Sequence, residues 1–101
     1  MSYLYYFKHM SHLTLITAND VQFKFAQTVR NKRKQLKLSR DALAKKSTVP
    51  ASTIKKFETT AQISLRQFIL LWQCVDSLES LLNLSKESEF QPKSIDEVLK
   101  G

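Results

Sequence analysis

The stretch from Arg40 to Thr59, R-D-A-L-A-K-K-S-T-V-P-A-S-T-I-K-K-F-E-T, decides the fold. Residues three and four apart line up along one side of an α-helix. Leu43 and Ala44 therefore sit on one face of a first short helix, and Ile54 and Phe57 share a face of a second, with Val49 in the turn between them. The spacing describes two short helices crossing at a steep angle. Small Ala44 marks the closest approach of the two backbones, and Leu43, Val49, Ile54 and Phe57 fill the surrounding core. The remaining positions are polar or basic, which leaves the outer face free for another molecule.

Capping residues place the neighbouring helices. Ser39 caps the first helix of the pair, and Pro50 or Ala51 opens the second, where a proline needs no amide partner; that helix ends near Glu58 or Thr59. Thr17 followed by Asp20 opens an earlier helix that runs to about Leu36, with Val21, Phe25, Val29 and Leu36 at mostly helical spacing. Ser64 caps L-R-Q-F-I-L-L-W-Q-C-V, apolar on nearly all sides and so expected as the central helix of the core. A shorter fifth helix is suggested by S-L-E-S-L-L-N-L, with Leu78, Leu81 and Leu82 inward. The expected fold is all-α, a five-helix domain over residues 17–84. Residues 1–16, aromatic and β-prone, read as an N-terminal arm or short strand, and Met10 offers a start site alternative to Met1. Residues 85–101 read as a polar linker and a short helical tail from Ser94 to Leu99, too short to stand alone in water.

A chain of 101 residues is one small domain with a modest core, so a dimer interface would help it. Two prolines and a single terminal glycine argue against an all-β fold of many tight turns. The net charge of +7 is unevenly spread. From Lys24 to Lys56 there are eleven basic residues against one acid, Asp41, a net +10; the remainder holds five basic residues and eight acids, a net −3. A polyanion would be drawn to one part of the molecule only, and nucleic acid is the leading partner. The lone Cys74 rules out an internal disulfide and fits a reducing cytoplasm. With no apolar run of the roughly 20 residues that span a bilayer, a cytoplasmic protein without a membrane partner is expected.

The segments V-R-N-K-R-K-Q-L-K-L-S-R-D-A-L-A, T-V-P-A-S-T-I-K-K-F-E and I-S-L-R-Q-F-I-L-L-W carry a resemblance. Between Val29 and Leu82 the chain resembles the Cro, lambda-repressor and Xre class of helix-turn-helix domain. The resemblance implies a compact lambda-repressor-like fold whose recognition helix, Ala51 to Phe57, enters the major groove of DNA. It implies that Pro50, Ala51, Ser52, Lys55 and Lys56 face the groove. Ser52 could exchange hydrogen bonds with base edges, Ala51 could meet a thymine methyl, and Lys55 could reach guanine acceptors or a phosphate. Ser39 and Arg40, at a helix start, would hold the DNA backbone. Lys45 and Lys46 are weaker candidates, as apt to be ordinary solvated lysines. Arg33 and Glu58 match a structural ion pair of the family that fixes the recognition helix. Lys37, Thr48 and Thr60 depart from the family at helix ends where it commonly has glycine and a left-handed backbone.

The run S-T-I-K-K-F-E-T-T-A-Q-I-S-L-R-Q-F-I-L-L-W, followed by L-E-S-L-L-N-L and P-K-S-I-D-E-V-L-K, is similar to HipB-like regulators encoded beside HipA-type kinase toxins. That likeness implies a bacterial repressor, nucleoid-associated when bound, that dimerises on a palindromic operator and autoregulates a toxin-antitoxin operon with a HipA-like partner. The alternative is a protein-interaction antitoxin that neutralises the kinase and uses its helix-turn-helix mainly as scaffold. Dimerisation is expected through Leu78, Leu81 and Leu82, since an apolar stripe on so small a domain needs covering. Other constellations are weak. His9 and His12 lack a third ligand, Cys74 has no histidine placed to activate it, and Trp72 with Phe68 and Leu71 reads as core or dimer surface. No catalytic pattern, metal site or cofactor is expected.

Overall fold

In the computed structural model, which describes residues 15–86, each of the longer helices but one begins at a hydroxyl side chain. Thr17 opens α1 (Ala18–Gln35) with a reciprocal capping box: its hydroxyl accepts from the Asp20 amide, and the Asp20 carboxylate accepts from the Thr17 amide, both at 3.1 Å. Ser39 accepts from the Ala42 amide at the start of α2 (Arg40–Ser47), and Ser64 accepts from the Gln67 amide at the start of α4 (Leu65–Val75). Each such cap contributes about 1 kcal/mol, because an orphan amide would otherwise lose its partner. The exception is α3 (Ala51–Thr60). Pro50 precedes it with no side-chain cap, and the Pro50 carbonyl instead accepts from both Thr53 and Ile54. A short α5 (Leu78–Leu82) runs into a 3-10 turn over Asn83–Ser85. The described residues are thus all-helical, with no strand among them.

Three helices end on a left-handed residue that is not glycine: Lys37 (φ 59°), Thr48 (φ 65°) and Ala61 (φ 66°). Lys37 and Thr48 are positions the sequence marks; Thr60 is not the third. Helix α3 runs one residue further, because the Thr60 hydroxyl donates back to the Lys56 carbonyl and the Ala61 amide closes on the Phe57 carbonyl. Ala61 takes the left-handed geometry while burying its methyl group, at 2% exposure. At Lys37 the backbone makes both bonds of a Schellman turn, Lys37 amide to Lys34 carbonyl and Leu38 amide to Arg33 carbonyl, which offsets the absence of glycine. The turn between α2 and α3 is likewise saturated. The Thr48 amide bonds the Ala44 carbonyl, and the buried Ser47 hydroxyl accepts from the Val49 amide.

The core is drawn from α1 to α4 and the turns between them. Ala26 and Val29 of α1, Leu43 of α2, Val49 in the turn, Ile54 and Phe57 of α3, Ala61, and Phe68 and Leu71 of α4 are buried together. Ala44 packs at the core's edge. Fully burying a side chain the size of leucine or phenylalanine stabilises by about 1.5–3 kcal/mol, so Leu43, Ile54 and Phe57 tie α2 and α3 together and onto α1 and α4. Two expectations need correction, on α1 and on α5. On α1 the buried row is Ala26, Val29 and Arg33, while Val21, Phe25 and Leu36 stay partly exposed. Helix α4 packs against α1, α2 and α5, burying Phe68 and Leu71 and partly burying Ile69, Leu70, Trp72, Cys74 and Val75 against the core, while Leu65 at its start stays exposed. On α5 only Leu81 packs on the core; Leu78 and Leu82 are exposed, because five residues form little more than one turn and present one row to α4. The expected arm before residue 15, with His9, His12 and Met10, and the helical tail from Ser94 to Leu99 lie outside the described residues.

Candidate nucleic-acid interface

Glu58 organises the polar side of the molecule. It sits on α3 beside the buried Phe57, which turns its carboxylate towards α1 and the start of α2, with the side chain only 1% exposed. Arg33 grips it with two bonds, Nε to Oε2 at 2.7 Å and Nη2 to Oε1 at 3.0 Å, and donates Nη1 to the Leu38 carbonyl. Every nitrogen of Arg33 therefore has a partner, and the residue is itself buried. Arg40, the first residue of α2, adds Nε to Oε1 at 3.0 Å, and Arg30 stands 3.9 Å from the same oxygen. Burial pushes the Glu58 carboxyl upward, but the hydrogen bonds and charges of Arg33 and Arg40 outweigh it and hold the group below the ordinary value of 4.5. Three guanidiniums thus surround one carboxylate, and two positive charges are left over.

The surplus charge opens into a recess between α1, the start of α2 and the start of α3. It gathers Ser39, Arg40, Ala51, Ser52 and Lys55 from the set named by resemblance. Arg30, Arg33, Lys34 and Asp41 complete its wall. Arg30 and Lys34 were not singled out by sequence; the signal available was their spacing of four on a helix that already carried Arg33. Pro50, Lys45, Lys46 and Lys56 are exposed but do not line the recess. Arg40 has a double place, bonded to Glu58 through Nε while its side chain is still 36% exposed.

Another side of the molecule has the opposite character. An apolar hollow of about 400 Å³ lies between Phe25, Phe57, Phe68, Ile69, Leu81 and Leu84, and a second, sharing Ile69 and Leu81, reaches Leu78 and Leu82. Phe25 stacks on Phe68 at 5.4 Å between centroids. Trp72 is half-buried and donates its indole N–H to the Ser77 carbonyl and the Ser80 hydroxyl. Lys32 lies over the Trp72 ring and binds Asp76 at 2.8 Å; that bond, with the Ser77 amide, holds the exposed Asp76 carboxyl below its usual range. Cys74 is partly buried against the core. Among the described residues no three histidine, cysteine, aspartate or glutamate side chains cluster to hold a metal, and no helix is long and apolar enough to cross a membrane. No family model, curated protein or solved structure matches this chain.

Proposed function

We propose that this protein is a sequence-specific DNA-binding repressor of the Cro, lambda-repressor and Xre class, a binding protein and not an enzyme, working as a symmetric dimer in the bacterial cytoplasm. Helix α3 would enter the major groove, with Ala51, Ser52 and Lys55 against base edges and Ser39 and Arg40 against the phosphate backbone. The observation that carries the reading is the convergence of those five residues on one recess with a positive surplus. Of the three helices around it, α2 and α3 are joined by a three-residue turn in which the Thr48 and Val49 amides and the Pro50 carbonyl are all hydrogen-bonded, which supports a fixed placing of α3. Dimerisation through the exposed Leu78 and Leu82, beside Leu81, would set two α3 helices about 34 Å apart on a palindrome. The operon setting, autoregulation beside a HipA-like kinase, rests on the sequence likeness.

The test is footprinting and gel shift on the DNA upstream of the protein's own gene. The doubly altered Ser52→Ala/Lys55→Gln chain should melt as the unaltered chain does yet bind that DNA at least about tenfold more weakly, one good base contact being worth about 1–3 kcal/mol. Binding indifferent to both DNA sequence and salt would sink the reading. The second reading, an antitoxin that works through protein contacts alone, is favoured by the apolar hollow under Leu81 and Leu84. It predicts that the same double variant still neutralises a co-expressed kinase.

A further inference from the structure

Arg30 belongs to two recesses at once. With Lys34 it walls the one at the starts of α2 and α3, and with Lys24 and Gln27 it walls another further along α1. Gln27, Arg30 and Lys34 stand at positions i, i+3 and i+7, so they form one exposed row beside the buried row of Ala26, Val29 and Arg33. The arginines around Glu58 divide their labour. Arg33 is used up on Glu58 and Leu38, whereas Arg30 makes no hydrogen bond among the described residues, stays 3.9 Å from the carboxylate and is 46% exposed. The facing acids leave the balance positive: Glu58 is taken by Arg33 and Arg40, Asp20 at the far end of the second recess caps α1, and Asp41 on the wall of the first stands against Arg30, Lys34 and Lys55. A positive row free to bind an anion is thus continuous with the recess.

We propose that the outer face of α1, from Gln27 through Arg30 to Lys34, is a phosphodiester-binding track that carries the backbone of duplex DNA alongside the α2–α3 recess. The inference rests on the DNA-binding reading and extends its footprint to a helix outside the α2–α3 unit. At 1.5 Å per residue the row is about 10 Å long. A DNA strand carries a charge about every 3.4 Å along its axis, so the row faces about three phosphates. Arg30 presents a planar fork suited to two phosphate oxygens, Lys34 a point charge and Gln27 an amide donor. The track carries no base information; it fixes register and supplies salt-dependent affinity.

The experiment uses the full chain and a labelled duplex, with affinity measured by fluorescence anisotropy between 50 and 200 mM salt, the range over which such contacts are lost. Each phosphate contact contributes about 0.9 to the slope of log affinity against log salt, so Arg30→Gln/Lys34→Gln should lower the slope by about 1.8. The control pair Arg66→Gln/Lys86→Gln removes the same charge from exposed sites outside the basic stretch and should leave the slope unchanged. Lys34→Gln alone, which does not touch Glu58, should give half the shift and serves if the double variant melts early. Equal shifts from both pairs would mean net charge and no track, and would overturn the proposal. So would a loss confined to anionic vesicles with the DNA slope intact. If the unaltered chain binds no duplex, the DNA-binding reading falls and takes this one with it. If the unaltered chain binds and Ser52→Ala/Lys55→Gln weakens it while the track pair does nothing, only the track is lost.

Discussion

The end of the molecule around Glu58 and the end around Leu81 solve opposite problems. At Glu58 an inaccessible carboxylate meets three guanidiniums, one of which is bonded through every nitrogen. At the α4–α5 end, Leu65, Leu78, Leu82 and Leu84 remain exposed around hollows that nothing in the described chain fills. Polar groups are expensive to bury unpartnered, so the first end has to be closed geometrically. Apolar side chains tolerate exposure one at a time, and a contiguous set of them invites a partner. The contrast separates a charged surface that positions α3 from an apolar surface available for association.

The largest effect should come from breaking the closed end. Glu58→Ala leaves Arg33 buried without its counter-ion, and denaturant unfolding should show a loss of about 3 kcal/mol, as breaking a buried pair does. The pH dependence sharpens the same point. A carboxyl held below its ordinary 4.5 stabilises the fold fully above that pH and loses its contribution as pH falls through the folded value. A melting series from pH 6 downward should therefore show an acid limb in the unaltered chain that is smaller in Glu58→Gln, where Asp76 alone of the two depressed carboxyls remains. An acid limb of the same size in Glu58→Gln would remove the carboxylate from the account.

A smaller and opposite effect is expected at the turn joining α2 to α3. Thr48 is β-branched and left-handed at φ 65°, a geometry that glycine adopts without strain. Thr48→Gly should raise stability by roughly 0.5–1 kcal/mol, the relief of strain being partly offset by the entropy glycine regains when unfolded. A melting temperature that drops would show that the side chain holds the turn. The smallest effect tests the open end. Leu82→Ser should change the stability of the dilute chain by less than about 0.5 kcal/mol, because the side chain is 59% exposed. Sedimentation velocity should register it instead, as weaker self-association; unchanged association would move the dimer contact away from α5.

Much of the architecture was legible because it is local. Thr17, Ser39 and Ser64 announce helix starts by chemistry that acts within three residues, and Leu43, Val49, Ile54 and Phe57 announce the core by spacing alone. Errors arose where a local pattern had to be weighed against a neighbour. The leucines of α5 all look inward in isolation, yet a single turn of helix presents only Leu81 to the core. Thr60 looks like a helix end until its hydroxyl is seen bonded back into the last turn.

What the sequence by itself determined is the helical class of the described chain, most helix starts, the core residues around the α2–α3 turn and the concentration of positive charge between Lys24 and Lys56. Each follows from interactions within a turn or two, or from composition. Only the tertiary structure decided that Arg30 and Arg40 join Arg33 on Glu58, that Lys34 shares a recess with Ser52 and Lys55, and that Leu78 and Leu82 point away from the core. Those groups lie up to 28 residues apart in the chain, Arg30 to Glu58, and meet only because Val29, Ile54 and Phe57 bury together and fix the angle at which their helices cross. Charge and periodicity do not carry that angle; close packing does.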